Sequence, residues 1–103
     1  MNKVTQESII PYVNALKNEN DDIKLDDVQK EIVKLLKSII KPKQLECMYL
    51  YYCNEESMID IGKQLGVSRQ AVYNNITNGR GMVYKFVNFA KVLKSKIQVS
   101  FLQ

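Results

Sequence analysis

Apolar residues recur every three or four positions along most of this chain, a spacing that predicts amphipathic α-helices. The first predicted helix is capped by Thr5 and extends to about Lys17, with Pro11 weakening or kinking its middle. The second begins after Asp26, a favourable N-cap residue, and extends to about Ile40. Polar residues 18–22 form the predicted loop between them.

The second predicted helix carries two adjacent apolar stripes. One has heptad-like spacing and consists of Leu25, Val28, Ile32, Leu35 and Ile39. The other lies beside it and consists of Val33, Leu36 and Ile40. A face this wide predicts contact with two neighbours, so it forms either intramolecular core or a dimer seam. Two heptads are too few to indicate a coiled coil.

Pro42 is well placed to begin a third helix, which includes the apolar segment 45–53. Three tyrosines in this segment, Tyr49, Tyr51 and Tyr52, suggest either a base-stacking platform or core and rim packing. Core packing is favoured, because nucleic-acid stacking platforms usually lie on β-sheets.

Two short helices are predicted over residues 57–65 and 69–78, with a tight turn at Gly66 between them. Gly66 can adopt the left-handed conformation that ends a helix, and Ser68 can cap the next one. Gly62 is small enough for the second helix to cross close by. The residues spaced to fill the angle between the helices are Ile61, Leu65, Val67, Val72 and Ile76. This pattern is typical of a helix-turn-helix.

The second of these helices has a polar face without any acidic residue, which suits the negatively charged backbone of DNA. Gln70 and Asn74 lie one turn apart, and each amide can make a bidentate contact with an adenine edge. Arg69 can bind a guanine or a phosphate, and Tyr73 a thymine methyl group or a phosphate. The candidate DNA-binding residues are Lys63, Ser68, Arg69, Gln70, Tyr73, Asn74, Thr77 and Arg80.

Asn78 and Gly79 are expected to end this helix, and a separate final helix is predicted from about Gly81 to Ile97. Its main apolar stripe contains Met82, Phe86, Phe89, Leu93 and Ile97, joined by Val83, Val87 and Ala90. A small core cannot cover all of this surface, so the outer half is expected to expose a partner site. Lysines along this helix either bind phosphates or form a solvated face.

The distribution of charge along the chain supports the assignment of the polar face at residues 69–78 to DNA binding. Among the 103 residues, Lys and Arg number 15 and Asp and Glu 11, but the excess is not evenly distributed. Residues 61–103 contain seven basic residues and no acidic one, whereas residues 1–60 contain eight basic and eleven acidic residues. The acid-free stretch thus includes the whole predicted recognition helix.

The composition also excludes several chemistries. Without histidine there is no imidazole base, His-based triad or His metal ligand, and Cys47 and Cys53 lack the spacing of zinc or redox sites. We therefore expect no enzyme activity, no cofactor and no metal. No apolar run is long enough for a membrane span, and no signal peptide is evident at the N-terminus, so a cytoplasmic protein is expected.

The run from Leu65 to Tyr73 (LGVSRQAVY) resembles the helix-turn-helix of region four of bacterial sigma factors. It is still more similar to small sigma-region-four-like regulators, among them the signal-recognition-particle-associated helix-turn-helix family. The resemblance covers about residues 41–95, including Pro42-Lys43-Gln44 upstream. One departure is that Ile76 follows Val72 by four residues, where sigma factors usually have a spacing of three.

The resemblance implies an all-α, sigma region four-like helix-turn-helix bundle with an N-terminal helical extension (1–41) and a DNA-binding domain (42–103) that includes a long C-terminal helix. The implied function is a sequence-specific transcription regulator of bacterial or phage type, with residues 68–78 in the major groove of double-stranded DNA. A homodimer is expected, because paired units read two half-sites. The alternatives are a module that docks on RNA polymerase or another factor, and a phage DNA-packaging subunit like the small terminase.

Overall fold

The computed structural model describes residues 6–18 and 24–102, and the side chains of residues 8–18 and 24–96. Helix α1 spans Gln6–Lys17, α2 spans Asp27–Ile39, and α3 spans Pro42–Met48 and continues into a π-helical turn at Tyr49–Cys53. Helix α4 spans Met58–Leu65 and α5 spans Arg69–Leu102. No β-strand occurs in the described ranges, so the all-α prediction is confirmed. Thr5, the predicted cap of α1, lies outside them.

Asp26 is the N-cap of α2, as the sequence predicts, and the structure adds a reciprocal bond from Gln29. Asp26 and Gln29 form a capping box, in which the backbone N–H of Gln29 donates to Asp26 Oδ1 at 2.8 Å. In return the backbone N–H of Asp26 donates to Gln29 Oε1 at 2.9 Å. Both bonds satisfy N–H groups that have no partner within the helix. Helix α1 continues through Pro11 without interruption.

All the helices contribute to one core, in which α5 contacts α1, α2, α3 and α4. The second stripe of α2 is buried in it, at Val33, Leu36 and Ile40. At the outer edge of the first stripe, Leu35 is 51% exposed and Ile39 is 41% exposed. Residues 24–40 thus pack on the helix-turn-helix and still present apolar side chains to solvent.

The π-helical turn departs from the α-helical spacing of the sequence. The backbone N–H of Asn54 donates to the carbonyl of Tyr49 at 3.2 Å, five residues earlier. In a regular α-helix Tyr51 would lie on the same face as Gln44 and Met48, which are buried. The wider turn leaves Tyr51 half-buried and brings Leu50 into the core.

The predicted break at Asn78 and Gly79 is wrong, because α5 is a single helix of 34 residues. Gly79 is buried inside it, and a Cβ there would lie 2.7 Å from Met48 Cε and 3.4 Å from Gln44 Cβ. The glycine therefore allows α5 to approach α3 closely. An interior glycine costs a helix about 0.5–1 kcal/mol relative to alanine, which tertiary packing offsets here.

Residues 83–96 of α5 divide into a buried and an exposed face. Val83, Val87 and Ala90 are buried against the other helices. On the other face Phe89 is 59% exposed and Val92 is 54% exposed, so the predicted exposed apolar surface is present.

Among the described residues, no helix combines the length and the apolar character that a membrane span needs.

Candidate nucleic-acid interface

The turn between α4 and α5 has the geometry that its sequence predicts. Gly66 ends α4 in the left-handed conformation, with φ 71° and ψ 34°. The backbone N–H of Val67 donates to the carbonyl of Gly62 at 2.9 Å, and the backbone N–H of Ala71 donates to Ser68 Oγ at 3.0 Å. These bonds hold the two helices at a fixed angle, and Val72 is fully buried between them.

The first two turns of α5 present an exposed polar face. Arg69, Gln70 and Asn74 are exposed, and Tyr73 is 44% exposed. Ser68, at the start of the helix, is exposed as well. Since α5 contains no Asp or Glu, this face carries no negative charge that would repel a phosphate.

Lys63 is also part of the helix-turn-helix, although it lies in the last turn of α4 and not on α5. Its side chain is exposed on the helix that precedes the turn. No ion pair holds it among the described residues. It therefore adds an exposed positive charge to the helix that precedes the turn.

Gln70 and Asn74 form one hydrogen-bonded unit. Gln70 Nε2 donates to Asn74 Oδ1 at 3.1 Å, across one turn of the helix. This bond leaves the Gln70 carbonyl oxygen as an acceptor and the Asn74 amide nitrogen as a donor, both on the exposed face. The pair fixes two flexible side chains in relation to each other.

Thr77 lies at the edge of the exposed polar face of α5, where the side chains become partly buried. Its Oγ1 is buried and has no hydrogen-bond partner in the described part of the chain. The side chain is only partly exposed. The sequence pattern groups Thr77 with the exposed polar residues, whereas the structure turns its hydroxyl towards the protein.

Arg80 contacts Tyr52, one of the three tyrosines for which the sequence favours core packing over base stacking. Arg80 Nη1 donates to the hydroxyl oxygen of Tyr52, in the π-helical turn, at 3.2 Å. This bond raises the pKa of the Arg80 guanidinium, and burial raises the pKa of the Tyr52 phenol. The two residues are 28 positions apart, so periodicity along the chain could not connect them.

The lysines of α5 differ in their surroundings. Lys94 forms an ion pair with Asp26, the N-cap residue of α2. Lys85, Lys91 and Lys96 are exposed and take part in none of the ion pairs found among the described residues. Lys94 therefore links α5 to the start of α2.

The described residues contain no group of three potential ligands from His, Cys, Asp and Glu that could hold a metal. Cys47 is fully buried, and burial raises the pKa of its thiol. Such a thiol is a poor nucleophile, because the reactive form is the thiolate.

Comparison with known proteins agrees with the helix-turn-helix geometry of the chain. A family model described as UPF0122, "Putative helix-turn-helix protein, YlxM / p13 like", matches residues 20–101 of the chain. This match includes α2, α3, α4 and almost all of α5.

Individual relatives match shorter stretches. A UPF0122 protein of Geobacillus kaustophilus is 41% identical over 49 residues, or 48% of this chain and 44% of the relative. One from Anoxybacillus flavithermus is 44% identical over 46 residues, or 45% and 42%. One from Fusobacterium nucleatum is 31% identical over 65 residues, or 63% of each. The chain spans about half the length of the first two relatives. No solved structure matches it.

Proposed function

The chain belongs to the UPF0122 family of helix-turn-helix proteins, and from this premise we propose that it is a sequence-specific DNA-binding regulator of transcription. The observation that carries the proposal is the exposed, acid-free face at the start of α5, directly after a well-formed turn. In helix-turn-helix proteins the residues at the start of the second helix contact base edges in the major groove.

The proposed base contacts lie in the first two turns of α5. The free acceptor of Gln70 and the free donor of Asn74 match the donor N6 and the acceptor N7 of an adenine. Arg69 is proposed to bind a guanine edge or a phosphate, and Tyr73 a thymine methyl group or a phosphate. Because Gln70 and Asn74 already hold each other, less side-chain entropy is lost when they bind.

The proposed phosphate contacts surround these residues. Lys63 and Ser68 lie beside the turn, and Arg80 lies further along α5. We assign Thr77 a packing role at the edge of the face, because its hydroxyl is buried.

We further propose that the protein acts as a homodimer. Two apolar surfaces support this: Leu35 and Ile39 on α2, and Phe89 and Val92 on α5. In this proposal residues 1–41 form an oligomerisation extension and residues 42–103 the DNA-binding domain. RNA polymerase is a second proposed partner of the same apolar surfaces. If the chain does not bind DNA, the alternative function is a module that docks on RNA polymerase through these surfaces.

Selection of bound sequences from a random duplex pool tests the proposed function. We expect an enriched palindrome whose half-sites are about one helical turn apart and contain adenine. A bound pool without enriched sequence would contradict sequence-specific regulation. Absence of binding at low salt, together with association with RNA polymerase, would instead favour a docking module.

A further inference from the structure

Arg80 occupies a position on α5 that differs from that of the proposed base-contacting residues. It follows Arg69 by eleven residues, which corresponds to roughly 16 Å along the helix axis. The major groove of B-DNA is about 12 Å wide. If α5 enters the groove by its N-terminus with Arg69 at the base edges, Arg80 is at the level of the phosphates that form the wall of the groove.

The guanidinium of Arg80 is hydrogen-bonded to a residue of the π-helical turn. Its Nη1 donates to the Tyr52 hydroxyl at 3.2 Å, and this uses one of its five N–H groups. The Arg80 side chain is only partly buried, so the outer side of the guanidinium remains accessible. Tyr84, four residues further along α5, is half-buried.

Tyr52 is itself a rigid support. Its side chain is 8% exposed, and its ring packs edge-on against the ring of Tyr51, with centroids 5.0 Å apart. The hydroxyl is thus fixed by the core on one side and by Arg80 on the other. A π-helical turn inside an otherwise α-helical segment often marks a functional position.

We propose that Tyr52 is a positioning residue that holds Arg80 against a phosphate of the DNA backbone, outside the base-reading part of the interface. The proposal rests on the proposed DNA-binding function. Arginine is suited to this task, because its planar fork binds phosphate with two parallel hydrogen bonds once it is oriented. The Tyr52 hydroxyl supplies the orientation, and Arg80 supplies the charge.

A double-mutant cycle on duplex binding tests this assignment, with the chain otherwise unaltered. Arg80→Ala should lower the affinity for every duplex sequence about equally and reduce the salt slope by about 1. Tyr52→Phe removes only the hydroxyl and should lower the affinity roughly two- to tenfold, with the salt slope unchanged. In the Arg80→Ala background, Tyr52→Phe should have no further effect, because Tyr52 acts only through Arg80.

Two further variants make the cycle decisive. Arg80→Lys retains the charge and should restore the salt slope, while its affinity remains below that of the unaltered chain. Tyr51→Phe is the matched control in both backgrounds, and it should leave affinity and slope unchanged. Thermal unfolding of each variant measures any effect on the fold separately from DNA binding.

The outcomes distinguish this proposal from the one on which it rests. If the unaltered chain binds no duplex at low salt, the DNA-binding function is wrong and the phosphate contact with it. If the chain binds DNA but Tyr52→Phe lowers the affinity equally in both backgrounds, Tyr52 has only a structural role. If Tyr52→Phe or Arg80→Ala binds as tightly as the unaltered chain, the assignment of that residue is overturned.

Discussion

Gly62 lies so close to Val67 that a Cβ at position 62 would be 2.8 Å from the Val67 carbonyl oxygen. The backbone N–H of Val67 donates in turn to the carbonyl of Gly62, at 2.9 Å. The turn is thus folded directly onto α4, and the obstacle to a side chain at this point is backbone. A backbone atom cannot rotate away as the end of a flexible side chain can.

Gly62→Ala should therefore destabilise the protein, although alanine is the better helix former. We expect the free energy of unfolding to fall by about 1–2 kcal/mol, because overpacking outweighs the gain in helix propensity. Chemical denaturation measures this change. Gly81→Ala is the matched control, because Gly81 lies inside α5 and a Cβ added there would have nothing within 4 Å. It should stabilise by about 0.5–1 kcal/mol. Equal effects at the two glycines would contradict the close approach.

Asp26 has two roles that substitutions can separate. Asp26→Ala removes both the cap of α2 and the ion pair with Lys94, and should cost about 1–2 kcal/mol. Asp26→Asn keeps the cap, since asparagine caps as well as aspartate, and removes only the charge. Its cost should be about 1 kcal/mol or less, because the pair is partly exposed. Denaturant unfolding of both variants at neutral pH measures the two losses.

The contribution of the ion pair should depend on pH in one direction. The hydrogen bond from Lys94 lowers the pKa of Asp26 below its usual 3.8. Stability from a carboxyl group with a lowered pKa is fully present above the unfolded value and is lost as the pH falls through the folded value. The difference between the unaltered chain and Asp26→Asn should therefore vanish in strong acid. A difference that persists there would show that it does not arise from the charge of Asp26.

Lysines far along α5 should contribute little to DNA binding. Lys91 and Lys96 follow Arg69 by 22 and 27 residues, which places them roughly 33–40 Å along the helix axis, well beyond one groove. Replacing both by alanine should leave the salt slope of duplex binding unchanged, whereas Lys63→Ala should reduce it by about 1. A lower slope for the double variant would mean that α5 follows the duplex along most of its length.

The proposed dimer makes a separate prediction about the exposed apolar surface. Phe89→Asp places a charge at a 59% exposed position, so the monomer fold should be retained. If this surface joins two copies, light scattering should give a dimer for the unaltered chain and a monomer for the variant. Lys96→Ala is the control and should remain dimeric. A monomeric unaltered chain at high concentration would contradict the homodimer.

Local signals were predictable from the sequence, because they depend on neighbouring residues. The N-cap at Asp26, the left-handed Gly66 and the Ser68 cap each need only a few positions of chain. The continuity of α5 through Gly79 was not predictable in this way. It depends on Met48, which lies 31 residues earlier and approaches only in the folded protein.

The same distinction between local signals and distant contacts applies to the candidate site. Periodicity placed Arg69, Gln70 and Asn74 on one polar face, and the structure exposes all three. Periodicity could not show that Tyr52 reaches Arg80, because a π-helical turn sets the direction of that side chain. Contacts between distant segments are therefore the part of the site that the structure adds.

The most direct test of the DNA-binding role is a salt titration of duplex binding by the unaltered chain and by the double variant Arg69→Ala with Asn74→Ala. Both side chains are exposed, so the variant should remain folded, which thermal unfolding checks. Lys37→Ala, on the exposed side of α2, is the control. We predict that the double variant binds at least about tenfold more weakly, because each lost contact is worth about 1–3 kcal/mol, and that the control is unaffected. Unchanged affinity and salt slope in the double variant would contradict the assignment of this face to DNA.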